Sequence, residues 1–165
     1  MTTYMEVLEL AKEVLDELTS RALTIAIAES CTGGLAASLI TDLDGASEVL
    51  DFSLITYSQE AKEEFLGISD YIFDNFGIIS LECAKLMAEG VADYDVDIGL
   101  ATTGVIGEAI EEKLKGTAHI AVAVKGHQTI GKDLFLDSKK SRYELKLEIV
   151  RELFEVLLYA IDTIF

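Results

Sequence analysis

The apolar run Leu23-Thr24-Ile25-Ala26-Ile27-Ala28 ends at Glu29-Ser30-Cys31-Thr32-Gly33-Gly34, and a stretch of small helix formers starts at Leu35. The run is short and partly β-branched, the pattern of a strand buried on both faces. A buried strand that passes through a glycine turn straight into a helix is half of a crossover unit. The chain is therefore expected to be built around parallel strands.

The other periodicities agree with this. From Tyr4 to Ser20, apolar residues recur at helical spacing while Glu6, Glu9, Glu13 and Glu17 fill the opposite face, which predicts an amphipathic helix laid on a core. The small-residue helix runs from Leu35 to about Leu43. Val49–Tyr57 reads as a strand, and Ser58 as the N-cap of a helix that Gly67 ends. Tyr71–Phe76 reads as a short helix or turn, and Ser80 caps a helix to about Val91. Val96–Thr102 is a further buried strand. Gly104–Lys115 reads as a loop with one helical turn. Thr117–Val124 and Gln128–Leu136 flank Lys125-Gly126-His127 as a hairpin, and a long helix from Ser138 or Ser141 runs to about Thr163. The predicted fold is α/β: a three-layer α/β/α sandwich with a mixed, largely parallel sheet, formed by residues 1–165 as one domain.

Ligands of such sheets bind beyond the carboxyl ends of the strands, here Glu29-Ser30, Tyr57-Ser58 and Thr102-Thr103-Gly104. Ser30 sits where a strand gives way to a turn. Thr32, Gly33 and Gly34 then open a helix whose first N–H groups have no internal partner and can hold an anion or a developing oxyanion. Ser30 is placed for nucleophilic attack if a base is near; equally, Ser30 or Thr32 can be a plain N-cap. Lys62 falls in or just past the first turn of the helix that Ser58 caps. The helix dipole and any burial lower the proton affinity of an amine there. A neutral lysine is a competent general base for serine, whereas a solvated lysine among Glu60, Glu63 and Glu64 would have no such role. The Tyr57 hydroxyl can donate to a reacting group or simply pack on the sheet. Thr103 and Gly104 can contact a ligand or merely turn the chain.

Composition excludes several classes of partner. Thirty acidic residues against thirteen basic ones give a net charge of −17. Such a surface repels nucleic acid and anionic membranes. Two cysteines without a CxxC pair, and two histidines, make no metal-ligand set. Cys31 and Cys83 read as buried thiols, with a single disulfide as the alternative. The chain opens on an acidic amphipathic segment rather than a signal peptide, and its apolar runs are too short to span a bilayer, which predicts a cytoplasmic protein.

Together these segments resemble the CinA C-terminal domain family, the nicotinamide-nucleotide amidohydrolases, in its stand-alone form. The resemblance is carried by Ala28-Glu29-Ser30-Cys31-Thr32-Gly33-Gly34 and by Tyr57-Ser58-Gln59-Glu60-Ala61-Lys62 with Leu66-Gly67. Gly77-Ile78-Ile79-Ser80, Ala88-Glu89-Gly90, Gly99-Leu100-Ala101-Thr102-Thr103-Gly104 and Gly116-Thr117 support it. Arg142 fits the family's basic start of the last helix, with Lys146 where a second arginine is common. The resemblance implies hydrolysis of the carboxamide of nicotinamide mononucleotide to ammonia and nicotinic acid mononucleotide. It implies Ser30 as nucleophile, Lys62 as base and Tyr57 as their assistant, with no metal and no cofactor. On this reading Thr32, Gly33, Gly34, Thr103, Gly104 and Arg142 contact the substrate, Arg142 or Lys146 at its phosphate. A pyridine nucleotide is the expected partner and a homodimer the expected assembly. One segment departs from the family. In place of a Gly- and Pro-rich loop the chain has Val105-Ile106-Gly107-Glu108-Ala109-Ile110-Glu111-Glu112-Lys113-Leu114-Lys115. This change admits an alternative, a non-catalytic nucleotide-binding or partner module on the same fold.

Overall fold

The computed structural model describes residues 1–165. Helix α1 (Tyr4–Ser20) precedes β1 (Ile25–Glu29), α2 (Leu35–Thr41) and β2 (Leu50–Ile55). Three helices follow, α3 (Gln59–Leu66), α4 (Asp70–Phe76) and α5 (Leu81–Ala92). Then come β3 (Ile98–Gly104), β4 (Thr117–Val124), β5 (Ile130–Phe135) and α6 (Arg142–Ile164). The strands form one sheet in the order β2-β1-β3-β4-β5. β1 is parallel to β2 and β3, and β4 is antiparallel to β3 and β5. Only β4 therefore runs against the rest, as a largely parallel mixed sheet requires.

The two faces of the sheet differ in side-chain size. Ile25, Ile27, Ile98, Leu100, Ile120 and Val122 pack against α1, α2 and α6. Ala26, Ala28, Ala101, Ala121 and Ala123 form a floor beneath α5 and the ends of α3 and α4. In strands buried on both faces the period of two survives as an alternation of large and small rather than apolar and polar. The small residues let α5 lie close. A Cβ on Gly99 would come within 1.9 Å of the Ala88 carbonyl oxygen, so only glycine fits there.

Local chemistry sets the element ends near the strand termini. The Ser58 hydroxyl accepts from the Ala61 N–H at 3.1 Å and starts α3, and Gly67 ends it in the left-handed region at φ 66°. The Ser80 hydroxyl accepts from Cys83 N–H at 3.1 Å and starts α5. The segment between β3 and β4 corrects the sequence reading: it contains no helical turn. The β3 and β4 arms stay paired beyond the sheet, with Val105 N–H to Thr117 O and Gly116 N–H to Val105 O both at 2.8 Å. Two arms held in register leave no room for a helical turn, and the tip closes as a tight turn between Ile110 and Lys113. No helix is long and apolar enough to cross a membrane.

Candidate active site

β1 ends with Glu29 opposite Thr102, two residues before β3 ends at Gly104. The chain then bends so that Ser30 N–H donates to Thr102 O at 3.1 Å. On the other side of β1, Thr56 follows β2 and donates its N–H to Glu29 O at 2.9 Å. This fixes the approach to α3 relative to Ser30. Lys62 projects from α3 into the space between them and is fully buried. Its Nζ lies 3.2 Å from Ser30 Oγ, 2.6 Å from Thr56 O and 3.2 Å from Tyr57 O. Ser30 itself is 8% exposed.

Burial holds the Lys62 amine below the ordinary lysine value of 10.5, because a charged ammonium loses its hydration there. Negative charge on Cys83 or Cys31 would oppose that shift. Burial, however, pushes the Cys31 thiol up to about 12 and the Cys83 thiol up to about 11. Both are free, buried and uncharged near neutral pH, which excludes the disulfide. As an ammonium, Lys62 donates to all three of its neighbours. As a neutral amine it keeps two donors for the Thr56 and Tyr57 carbonyls and turns its lone pair on the Ser30 hydroxyl.

The start of α2 differs from the sequence expectation. Its N–H groups are not free for an anion, because the fully buried Glu29 carboxylate already fills the place. Glu29 accepts from Gly34 N–H at 3.0 Å, Ala36 N–H at 3.2 Å and Ala37 N–H at 2.9 Å. A carboxylate on three N–H groups at a helix start is a complete internal cap. Gly34 permits it by adopting φ 99° as the N-cap, which offers no capping side chain of its own. Thr32 is also consumed: its hydroxyl donates to Glu29 at 2.6 Å and lies 2.7 Å from Thr102 Oγ1. Gly33 N–H donates to Ser30 O at 3.1 Å. The N–H groups that follow the serine, at Cys31 and Thr32, make no hydrogen bond within the protein.

Other predicted residues are placed as follows. Tyr57 contributes through its backbone; the residue is 61% exposed and no hydrogen bond joins its hydroxyl to Ser30 or Lys62. Thr103 is buried and donates to Ile78 O at 3.3 Å, which ties the end of β3 to the segment before α5 and leaves its oxygen free to accept. Gly104 answers to crowding, since a Cβ there would meet Ala118 Cβ at 2.6 Å. Arg142 lies against Gly107 of the β3–β4 loop, and Lys146 lies against Gly33 of the Ser30 turn. A Cβ on Gly107 would lie 2.5 Å from Arg142 Nη1, and one on Gly33 would lie 3.5 Å from Lys146 Nζ. These two cations sit one turn apart at the start of α6, where the helix dipole opposes them. Glu29 and the Thr56 carbonyl were not read as site-forming from sequence. The only hint was an acid at a strand end shortly before a helix.

The family model of the CinA C-terminal domain matches residues 7–161. A CinA-like protein of Syntrophus aciditrophicus is 47% identical over 116 residues, 68% of this chain. A CinA-like protein of Syntrophotalea carbinolica is 39% identical over 124 residues, 73% of this chain. The chain spans 27% and 30% of those two proteins' own lengths. Among solved structures, the competence/damage inducible protein CihA from Agrobacterium tumefaciens superposes with a TM-score of 0.88 at 31% identity, covering 94% of this chain and 95% of that one. The competence damage-inducible protein A (ComA) from Klebsiella pneumoniae superposes with a TM-score of 0.91 at 25% identity, covering 96% and 99%. The chain belongs to the CinA C-terminal domain family.

Proposed function

We propose that this chain is an amidohydrolase that uses Ser30 as nucleophile and Lys62 as general base. Its proposed substrate is the carboxamide of nicotinamide mononucleotide, which it converts to ammonia and nicotinic acid mononucleotide. The observation that carries the reading is the buried Lys62 Nζ at 3.2 Å from Ser30 Oγ, with the charged form of the amine disfavoured. A serine beside a lysine that is easily neutralised is an activated nucleophile.

In the proposed reaction the Lys62 lone pair takes the Ser30 proton as Oγ attacks the amide carbon. The Cys31 and Thr32 N–H groups are the donors left for the resulting oxyanion, since Gly34 N–H is held by Glu29. The Lys62 ammonium then protonates the departing nitrogen and ammonia leaves. Water, deprotonated by the same amine, cleaves the acyl-serine. Arg142 and Lys146 receive the phosphate; neither is paired with an acid, on a chain of net charge −17.

The test is ammonia release from nicotinamide mononucleotide by wild type, Ser30→Ala and Lys62→Met. Turnover in the wild type and a loss of about 10⁴-fold in each variant is expected for residues that act as a unit. Wild-type ammonia release by Ser30→Ala would overturn the mechanism. A second reading, a non-catalytic nucleotide-binding module, is favoured by the acidic loop and by Glu111, which docks on the backbone of Ile78 and Ile79. It predicts nucleotide binding with no ammonia from the wild type.

A further inference from the structure

The loop from Val105 to Lys115 is a strap with two anchor points. At its tip, Ile110 and Lys113 exchange backbone hydrogen bonds of 3.1 and 2.8 Å. The two residues between them, Glu111 and Glu112, both take left-handed backbone at φ 52° and 62°. That turn favours asparagine and glycine and is disfavoured for glutamate. Glu111 gains a contact that glycine would lack. Its Oε1 accepts from Ile78 N–H at 3.1 Å and its Oε2 from Ile79 N–H at 3.3 Å. Gly77 leaves the space, since a Cβ there would stand 2.5 Å from Glu111 Oε2.

The segment under Glu111 belongs to the wall of the site. Ile78 O accepts from Thr103, and Ser80 starts the helix that carries Cys83. The Glu111 charge also acts on the Cys83 thiol, which feels the Lys62 charge from elsewhere. At the other end of the strap, Arg142 overhangs Gly107. The strap thus reaches from Arg142 at the start of α6 to the Gly77–Ile79 segment before α5, and one turn along α6 from Arg142 stands Lys146, against Gly33 of the Ser30 turn.

We propose that Glu111 is the clasp of a lid: its carboxylate holds the 105–115 strap down on the Gly77–Ile79 backbone, and its release opens the strand-end cleft to the nucleotide. The identity of the ligand rests on the amidohydrolase reading; the clasp itself does not. A ligand that needs the open form binds more weakly by the fraction of molecules that are closed.

The clasp is tested by amide hydrogen exchange at Ile78 and Ile79 and by trypsin cleavage after Lys113 and Lys115, in wild type, Glu111→Ala and Glu112→Gly. Glu111→Ala is expected to speed both by about tenfold or more. Glu112→Gly, which relaxes the turn and keeps the carboxylate, leaves both slow. Exchange at Leu100 in the sheet reports global unfolding and stays unchanged. Unaltered exchange at Ile78 and Ile79 in Glu111→Ala overturns the clasp. Calorimetry with nicotinamide mononucleotide on the Ser30→Ala background, where turnover plays no part, is expected to show binding about tenfold tighter once Glu111→Ala is added. An unchanged Kd overturns the gating role. If exchange responds but no variant binds the nucleotide, the clasp stands and the amidohydrolase reading falls.

Discussion

Lys62 Nζ and Ser30 Oγ are 3.2 Å apart inside the protein, and the Thr56 and Tyr57 carbonyls hold the amine from behind at 2.6 and 3.2 Å. The carbonyls aim the amine as well as satisfying it. Two N–H bonds fixed on backbone oxygens leave the lone pair one direction, toward the serine. The arrangement takes its precision from strand ends, since Thr56 is tied to Glu29 and Ser30 to Thr102 through backbone hydrogen bonds.

The first prediction concerns the pH profile. In the proposed mechanism the base is neutral Lys62, whose proton affinity burial lowers. The kcat/KM for nicotinamide mononucleotide should therefore rise with pH by one logarithm per unit and reach a plateau. Its midpoint should lie below 10.5, the ordinary value for a lysine. A rate that falls with increasing pH across that range would contradict the assignment of Lys62 as base.

The same shift makes a stability prediction whose sign differs from that of an ordinary ion-paired lysine. The folded-state value is depressed, so between it and 10.5 the unfolded chain binds more protons than the native one. Stability then rises with pH through that window. The burden of the buried ammonium is full below the folded-state value and gone above 10.5. Lys62→Met lacks the titrating group. The Tm of the wild type minus that of Lys62→Met should accordingly increase from neutral pH toward 10.5, as groups common to both cancel.

Glu29 supplies the third prediction. Its carboxylate gathers the Gly34, Ala36 and Ala37 N–H groups and the Thr32 hydroxyl. In Glu29→Gln one acceptor oxygen becomes an NH₂ group and the cap loses its charge; with the amide oxygen kept at the Oε2 position, the Ala37 N–H is left without its acceptor. A loss of about 3 kcal/mol in denaturant unfolding is expected, with the midpoint lowered and the slope unchanged. Activity should fall with it, because Ser30 begins the turn that Glu29 closes.

Much of this was legible in the sequence, and the reason lies in range. The bounds of α1 at Tyr4–Ser20 and the caps at Ser58, Ser80 and Ser141 agree with the sequence reading, because capping chemistry acts within three residues. Lys62 could be singled out among its glutamates, and Leu66, four residues on and also buried, marks the same helix face. Glu29 was not legible in this way. Its backbone N–H partners lie five to eight residues ahead, and a carboxylate reaching that far forward depends on how the turn folds. Sequence points to the Tyr57 side chain, whereas the fold uses its carbonyl. The helix formers in Gly104–Lys115 read as a loop with one helical turn, and that turn is absent. Pairing of β3 with β4, a contact remote in sequence, overrides that preference.

The fourth prediction separates binding from chemistry. Arg142 and Lys146 overhang Gly107 and Gly33 at the rim and touch neither Ser30 nor the Lys62 amine. Arg142→Ala should raise KM for nicotinamide mononucleotide about tenfold, roughly 1.4 kcal/mol, while kcat stays within about twofold. Nicotinamide riboside, which lacks the phosphate, should show no such change. An equal loss with both substrates would remove the phosphate from this rim.

The last prediction tests the alanine floor. A Cβ on Gly99 would stand 1.9 Å from the Ala88 carbonyl oxygen and 3.0 Å from Ala92 Cβ. The obstacle is helix backbone, so no rotamer change relieves it and α5 must lift from the sheet. Gly99→Ala should cost about 2–3 kcal/mol, at the upper end for overpacking by one methyl. Gly67→Ala offers the contrast: nothing lies within 4 Å of the added carbon, but φ is +66°. Its cost should be only about 1 kcal/mol, from the backbone alone. The two variants also differ at the site. Lifting α5 moves Cys83 away from Lys62, whose charge it feels, whereas relaxing the end of α3 at Gly67 leaves α5 on its floor. Thermal unfolding should therefore rank Gly99→Ala well below Gly67→Ala. A thiol reagent should reach Cys83 faster in Gly99→Ala alone. Equal melting temperatures would mean that the close seat of α5 is not what requires glycine at position 99.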